Sequence, residues 1–317
     1  MKKTNLVLSI LLVFAAVLSA CSPAVAPAVT QAATAAVTPT PVTFTDGLGR
    51  SVTLDKAATR IVSMAPSATE MLYAIGAGSQ LVGRDSFSDY PEEAKSLQDI
   101  GGSDGNYSYE AIAALNPDLV VAAEINTADQ VKALENLGLK VYYISNPFDF
   151  TSLFDEMNVL GQLTGHEAEA KTATDTLAAR VQTVKDTISQ ASTTPTVFYE
   201  LDGSDPSKPW TVGPGNFMDQ VISLAGGKNV GSDLTSSWAQ ISVEDLLVKD
   251  PAIIVLGDSN YGMTAEKVAA RTGWENLSAV KNNQIFAFDD NLISRAGPRM
   301  VDGLEAMAKL VHPELFK

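Results

Sequence analysis

The sequence predicts an α/β protein of two Rossmann-like lobes with parallel sheets, joined by one long backbone helix. Three observations predict it. Short apolar strand runs alternate with helical stretches on either side of the middle of the chain. Between them, from about Phe150 to Gln190, a helical pattern runs without an intervening strand. A Ser–Glu–Pro–Val unit recurs in the two halves at an offset of 134 residues.

The amino terminus comes first. Lys2 and Lys3 precede an apolar run from Leu6 to Val17, broken only by Ser9 and too short for a comfortable membrane span. The run ends in Leu18-Ser19-Ala20-Cys21, which looks like a lipobox, so residues 1–20 are expected to be a signal peptide and Cys21 the lipidated residue. Cys21 is the only cysteine among 317 residues, so an exported chain could form no internal disulfide. Residues 21–42 are rich in Ala, Pro, Thr and Val and carry no charge, a composition that buries no core and reads as a tether. The expected lobes are 43–150 and 193–317, with 151–192 as the linker helix.

In the first lobe, Arg60–Met64 reads as a strand and Ser67–Ile75 as a helix. Pro66 precedes that helix, Ser67 or Thr69 is placed to cap it, and Glu70 lies in its first turn. Leu81–Gly83 is a further strand. Tyr109–Leu115 is helical and stops at Asn116-Pro117, before the strand Leu119–Ala123. Thr127–Leu137 is a helix closed by Gly138, and Lys140–Ile144 is a strand. In the middle, Ala170, Ala173, Leu177, Val181, Val184 and Ile188 fall on one helical face, with a break expected near Gly161–Gly165. Strands or helices resume at Thr196–Leu201, Phe217–Ala225, Val243–Val248, Ala252–Leu256 and Gln284–Phe288. The last helix runs from about Pro298 to Val311.

The repeat pairs Ser108, Glu110, Pro117 and Val121 with Ser242, Glu244, Pro251 and Val255. A serine cap followed by a first-turn glutamate is ordinary helix chemistry. The shared register of all four residues is what points to two related lobes.

Composition narrows the function. Once Lys2 and Lys3 are removed, 20 basic side chains face 37 acidic ones, a net charge of −17 that makes nucleic acid a poor partner. Only two histidines are present, His166 and His312, both expected on the surface, and neither lies in a recognisable nucleophile setting. An enzyme, a resident cofactor and a bare zinc or manganese site are therefore not expected. Three aromatics instead sit in expected loops: Tyr90, Trp210 and Trp238. Such side chains offer rigid area for stacking on a flat ligand. Trp274 reads as a helical core residue.

At these residues the chain resembles the solute-binding proteins of cobalamin, haem and iron-siderophore importers, the periplasmic-binding class with a rigid helical linker. The resemblance covers about Thr43 to Lys317. It is carried by Asp46-Gly47-Leu48-Gly49-Arg50, by Arg60-Ile61-Val62-Ser63 with Pro66-Ser67-Ala68-Thr69-Glu70, and by the paired Glu-to-Pro units. Ser88-Asp89-Tyr90-Pro91-Glu92, Trp238-Ala239-Gln240-Ile241-Ser242 and Ser294-Arg295-Ala296-Gly297-Pro298-Arg299 make it most similar to the cobalamin-binding group. The resemblance implies a ligand held between the lobes, a cobalt corrinoid or alternatively an iron chelate, contacted by Tyr90, Trp210, Trp238, Asp290 and Ser67. It also implies that Glu110 and Glu244 dock on arginines of an ABC permease dimer driven by an ATPase, two equivalent carboxylates for a two-fold partner. One departure concerns the pocket floor: a tryptophan of that group is replaced by Ser103-Asp104-Gly105. An anionic siderophore would require arginines, for which Arg84, Arg295 and Arg299 are the candidates. A single helical linker without flexible crossovers predicts only small lobe closure.

Overall fold

In the computed structural model, residues 41–103 and 105–316 are described. Cys21, the expected signal peptide and the tether up to residue 40 lie outside them. Val42–Thr45 (β1) and Ser51–Leu54 (β2) form an antiparallel hairpin. Its turn is held by Asp46, whose carboxylate accepts the backbone N–H groups of Leu48 and Arg50 at 3.0 and 2.9 Å.

The first sheet consists of Ile61–Ser63 (β3), Leu81–Arg84 (β4), Gln98–Asp99 (β5), Leu119–Ala123 (β6) and Val141–Ile144 (β7), all parallel, in the order β5-β4-β3-β6-β7. Strands β3, β6 and β7 are buried along their whole length, which is why they read as nearly continuous apolar runs, with Ser63 the one small polar residue. Pro66–Ala74 (α1), Tyr109–Ala114 (α2) and Ala128–Asn136 (α3) make the crossovers. Neither Ser67 nor Thr69 caps α1, contrary to expectation. Pro66 opens the helix after Ala65, and no side chain caps it. Thr69 instead turns into the core, where its hydroxyl bonds Ser63 Oγ at 2.8 Å and Ser88 Oγ at 2.7 Å.

The central helical stretch is two helices rather than one. Phe150–Thr164 (α4) ends at Gly165, whose left-handed φ of 76° suits glycine, and Glu167–Ile188 (α5) then begins. The break falls where the paired glycines place it, and the two helices pack closely, with Gly161 against Ala170. Helix α5, 22 residues or roughly 33 Å long, buries Ala170, Thr174, Val181 and Val184.

The second sheet contains Thr196–Asp202 (β8), Trp210–Val212 (β9), Lys228–Asn229 (β10), Trp238–Gln240 (β11), Ile253–Leu256 (β12) and Ile285–Ala287 (β13). Its order is β11-β9-β8-β12-β13, with β10 also on β8. It is mixed, not wholly parallel: β9 and β11 run antiparallel to their neighbours, because β8 returns through a short connection rather than a helix. Trp210 and Trp238 thus stand on short strands, not in loops, Trp238 on the edge strand β11 and Trp210 on β9 between β11 and β8. Phe217–Leu224 (α6), Val243–Lys249 (α7), Ala265–Ala269 (α8), Ser278–Lys281 (α9), Asn291–Ser294 (α10) and Met300–Val311 (α11) complete the lobe.

The repeat lands on α2–β6 and α7–β12, strands that hold the same place beside β3 and β8. Both helices end in a left-handed residue at the same offset, Asn116 (φ 47°) and Asp250 (φ 39°). One apolar core runs through both lobes, from Val52 and Leu72 across Leu160 and Val181 to Val255 and Leu304. A separate cluster fills the far face of each sheet. His312, expected on the surface, is 1% exposed and bonds the Gly226 carbonyl at 3.2 Å. Trp274 is buried as expected, against Phe198, with its N–H on the Pro206 carbonyl.

Candidate ligand-binding cleft

Parallel strands end in loops, and in an open α/β sheet those loops build the ligand crevice. The carboxyl ends of β3, β6 and β7 deliver Ala65–Ser67, Ala123–Ile125 and Asn146 to one wall of a 490 Å3 cavity. The opposite wall comes from the second lobe: Trp238, Tyr261 and the Asn291–Ala296 turn. Phe87 closes the first-lobe side. A smaller recess of 330 Å3 adjoins it through Tyr261, lined also by Asp202, Ser204, Asp258 and Met263. A 580 Å3 groove beside α5, near Leu177 and Pro298, is wider but lies away from the strand ends and offers few polar groups.

Two of the five expected contacts line the cavity. Ser67 does so at the uncapped start of α1, and Trp238 does so with its ring held edge-on against Phe217 at 5.9 Å. Tyr90, Trp210 and Asp290 are not among the lining residues. Tyr90 carries the Arg299 guanidinium over its ring at 4.1 Å. Trp210 lies opposite Gln240 in the β9–β11 ladder, one diagonal step from Trp238 on the same sheet face. The Asp290 carboxylate receives the Tyr199 hydroxyl at 2.7 Å, and burial raises its pKa.

Phe87, Ile125 and Tyr261 were missed by sequence reasoning, although all three are exposed apolar or aromatic residues, Tyr261 at 90%. A large side chain just beyond a strand was the available signal. The loop carrying Ile125 is fixed from beneath: Asn126 donates to Tyr107 Oη at 2.8 Å, and Tyr107 donates to the Met64 carbonyl at 3.0 Å. Burial pushes the Tyr107 hydroxyl up to about 12, so it remains a donor at every physiological pH.

Behind the cleft an ion-pair network ties the lobes together. Glu70 of α1, buried, accepts from Arg299 Nε at 2.8 Å and Nη2 at 2.6 Å. Arg295 pairs with Asp89 and lies 3.6 Å from Glu70. Burial holds the Glu70 carboxyl above its usual range, and the two arginines offset only part of that. Gly297 lies beside the Ser67 backbone of the other lobe, where an added Cβ would meet it in ordinary contact at 3.5 Å and press instead on the Arg295 carbonyl at 3.0 Å. Glu110 and Glu244 take no part in this network; both are exposed and both are second in their helices after the capping serines Ser108 and Ser242.

A family model described as periplasmic binding protein matches residues 61–292, which is most of both lobes. The chain belongs to that family. An uncharacterized ABC transporter substrate-binding lipoprotein of Bacillus subtilis, YvrC, is 32% identical over 283 residues, covering 87% of each chain. A cobalamin-binding protein of Halobacterium salinarum is 30% identical over 280 residues, 86% of this chain and 74% of the relative. Among solved structures, the periplasmic vitamin B12 binding protein BtuF of Vibrio cholerae matches at TM-score 0.69 and 28% identity, covering 82% of this chain and 98% of its own. A possible iron-binding periplasmic solute-binding protein of Staphylococcus epidermidis matches at 0.71 and 28%, covering 81% and 100%. The chain is thus an extracytoplasmic substrate-binding protein of the ABC-importer class.

Proposed function

We propose that this protein binds a corrinoid between its lobes and delivers it to an ABC permease, tethered to the outer face of the membrane through lipidated Cys21. The observation that carries the reading is the cleft itself. Apolar and aromatic side chains from both lobes, Phe87 and Ile125 facing Trp238 and Tyr261, flank a hollow at the strand ends. That arrangement suits a broad, flat, largely uncharged ligand. The likeness to cobalamin-binding relatives supports the same ligand class. Binding involves no bond chemistry: Ser67 and Asn146 orient the ligand, Trp238 stacks on it, and Tyr90 and Trp210 guard the rim. Glu110 and Glu244, matched in position on paired helices, meet equivalent arginines of the permease dimer.

A ferric siderophore or haem is the second reading, favoured by Arg295 in the cleft wall and by the iron-binding neighbour. Titrating cyanocobalamin, haemin and ferric hydroxamates against tryptophan fluorescence separates the two. Saturable quenching by cyanocobalamin, abolished largely in Trp238→Phe, is the expected result; quenching by a siderophore or haemin alone overturns the corrinoid assignment. Cys21→Ser should move the protein from the membrane fraction to the medium or periplasm.

A further inference from the structure

We infer that the cleft discriminates by charge, accepting neutral or cationic chelates and rejecting polyanionic ones, with Glu124 as the specificity-determining residue. This rests on the chelate-binding reading and narrows its substrate class. The cations around the hollow are already paired. Arg299 is bound by Glu70 through two hydrogen bonds. Arg295 is shared between Asp89 and Glu70, so the four-membered network is neutral. Arg84 pairs with Asp99 at 3.0 Å, and Arg271, beside the recess, is held by the buried Glu200. Each arginine near the cleft therefore faces a carboxylate already in place.

The acids are not balanced in the same way. Glu124 lines the cavity, and its Oε2 accepts the Asn146 N–H at 2.7 Å; no cationic side chain pairs with it among the described residues. In the adjoining recess, Asp258 is 7% exposed. Its Oδ2 accepts the Gly203 N–H at 3.0 Å, while Oδ1 receives no donor among the described residues. Asp258 also faces Glu200, whose carboxyl it helps to push up. Asp202 adds a further carboxylate at the recess, with the Ser204 backbone as donor. Against these stands the uncapped amino terminus of α1, worth about half a positive charge. Full carboxylates outweigh it, and the low-dielectric walls strengthen their field. A ligand bearing amide or ammonium groups meets an uncompensated carboxylate at Glu124 on the cavity wall; a polycarboxylate adds repulsion.

The test uses one ring with two peripheries: a corrinoid carrying all-amide side chains and the same corrinoid with those side chains hydrolysed to carboxylates. A second pair is a cationic ferric trihydroxamate and its neutral N-acetylated form. Each is titrated against the folded chain at low and high salt. The expected result is at least ~10-fold weaker binding of the polycarboxylate, a preference of a few-fold for the cationic trihydroxamate, and both differences shrinking in high salt. Glu124→Gln, which keeps an acceptor for Asn146, should raise the polycarboxylate-to-amide affinity ratio several-fold, and Glu124→Arg should raise it further. Equal or tighter binding of the polycarboxylate, or a ratio unmoved by both variants, overturns the charge rule while leaving chelate binding intact. Failure of every chelate to bind overturns the chelate-binding reading, and the charge rule with it.

Discussion

Glu156 of α4 shows how far one buried carboxyl can tilt the stability of a lobe. It is partly buried beside Tyr142, and its Oε1 has no hydrogen-bond partner among the described residues. Burial pushes its pKa from the usual 4.5 to about 7, with Asp46 raising it and Tyr142 pulling it back. Between those values the unfolded chain loses the proton and the folded chain keeps it. The stabilising contribution is therefore fully present below pH 4.5 and falls away as pH rises through 7. After discounting for partial exposure it amounts to about 2 kcal/mol. Glu156→Gln should remove that slope, making the variant more stable than the parent at pH 8 and similar at pH 4; equal unfolding midpoints in urea at pH 8 would contradict it. Residue identity did not decide the rim: the sequence marks Tyr90 as aromatic, but only packing shows its face covered by Arg299.

Among the elements, the paired α2–β6 and α7–β12 units were the most legible in the chain. Capping serine, glutamate, helix stop and buried strand all follow from local chemistry, so both copies read alike. Their left-handed stops respond differently to substitution. Asn116→Gly should change stability by less than about 0.5 kcal/mol, since asparagine tolerates that conformation and its amide bonds only the Ala114 carbonyl. Asp250→Gly should cost about 1 kcal/mol, because its carboxylate accepts the Ser278 N–H and hydroxyl, both at 2.7 Å. Thermal unfolding of the pair checks the contrast. Glu110→Ala with Glu244→Ala should weaken association with the permease and leave chelate affinity unchanged; a large loss of chelate affinity would remove their docking role. Strands β9 and β11 were illegible for an equally local reason. Three residues each are too few to display alternation, and their pairing is set by partners rather than by pattern.

Across the whole molecule, the two sheets are coupled by a shared core and by the Glu70–Arg299–Arg295–Asp89 network. Removing one partner of a buried pair strands the other: Arg299→Met should cost about 3 kcal/mol at pH 7. The loss should shrink at low pH, where Glu70 takes up a proton, and Glu70→Leu added to Arg299→Met should recover most of it. Urea unfolding of the single and double variants at pH 5 and 7 measures this; a double variant as unstable as the single would show that the network does not act as a pair. The same coupling predicts little lobe closure, seen as a radius of gyration by X-ray scattering that stays constant on adding ligand.

Sequence alone determined the two-lobe α/β order, the helical break at paired glycines and the doubled cap-and-strand unit. Each of these is written in spacings of a few residues, where backbone hydrogen bonding and burial act locally. Tertiary structure alone decided which aromatics share the hollow, that His312 is buried, and that every arginine near the cleft already faces an acid. Those outcomes depend on side chains separated by up to 229 positions, such as Glu70 and Arg299, and no local pattern records such a distance.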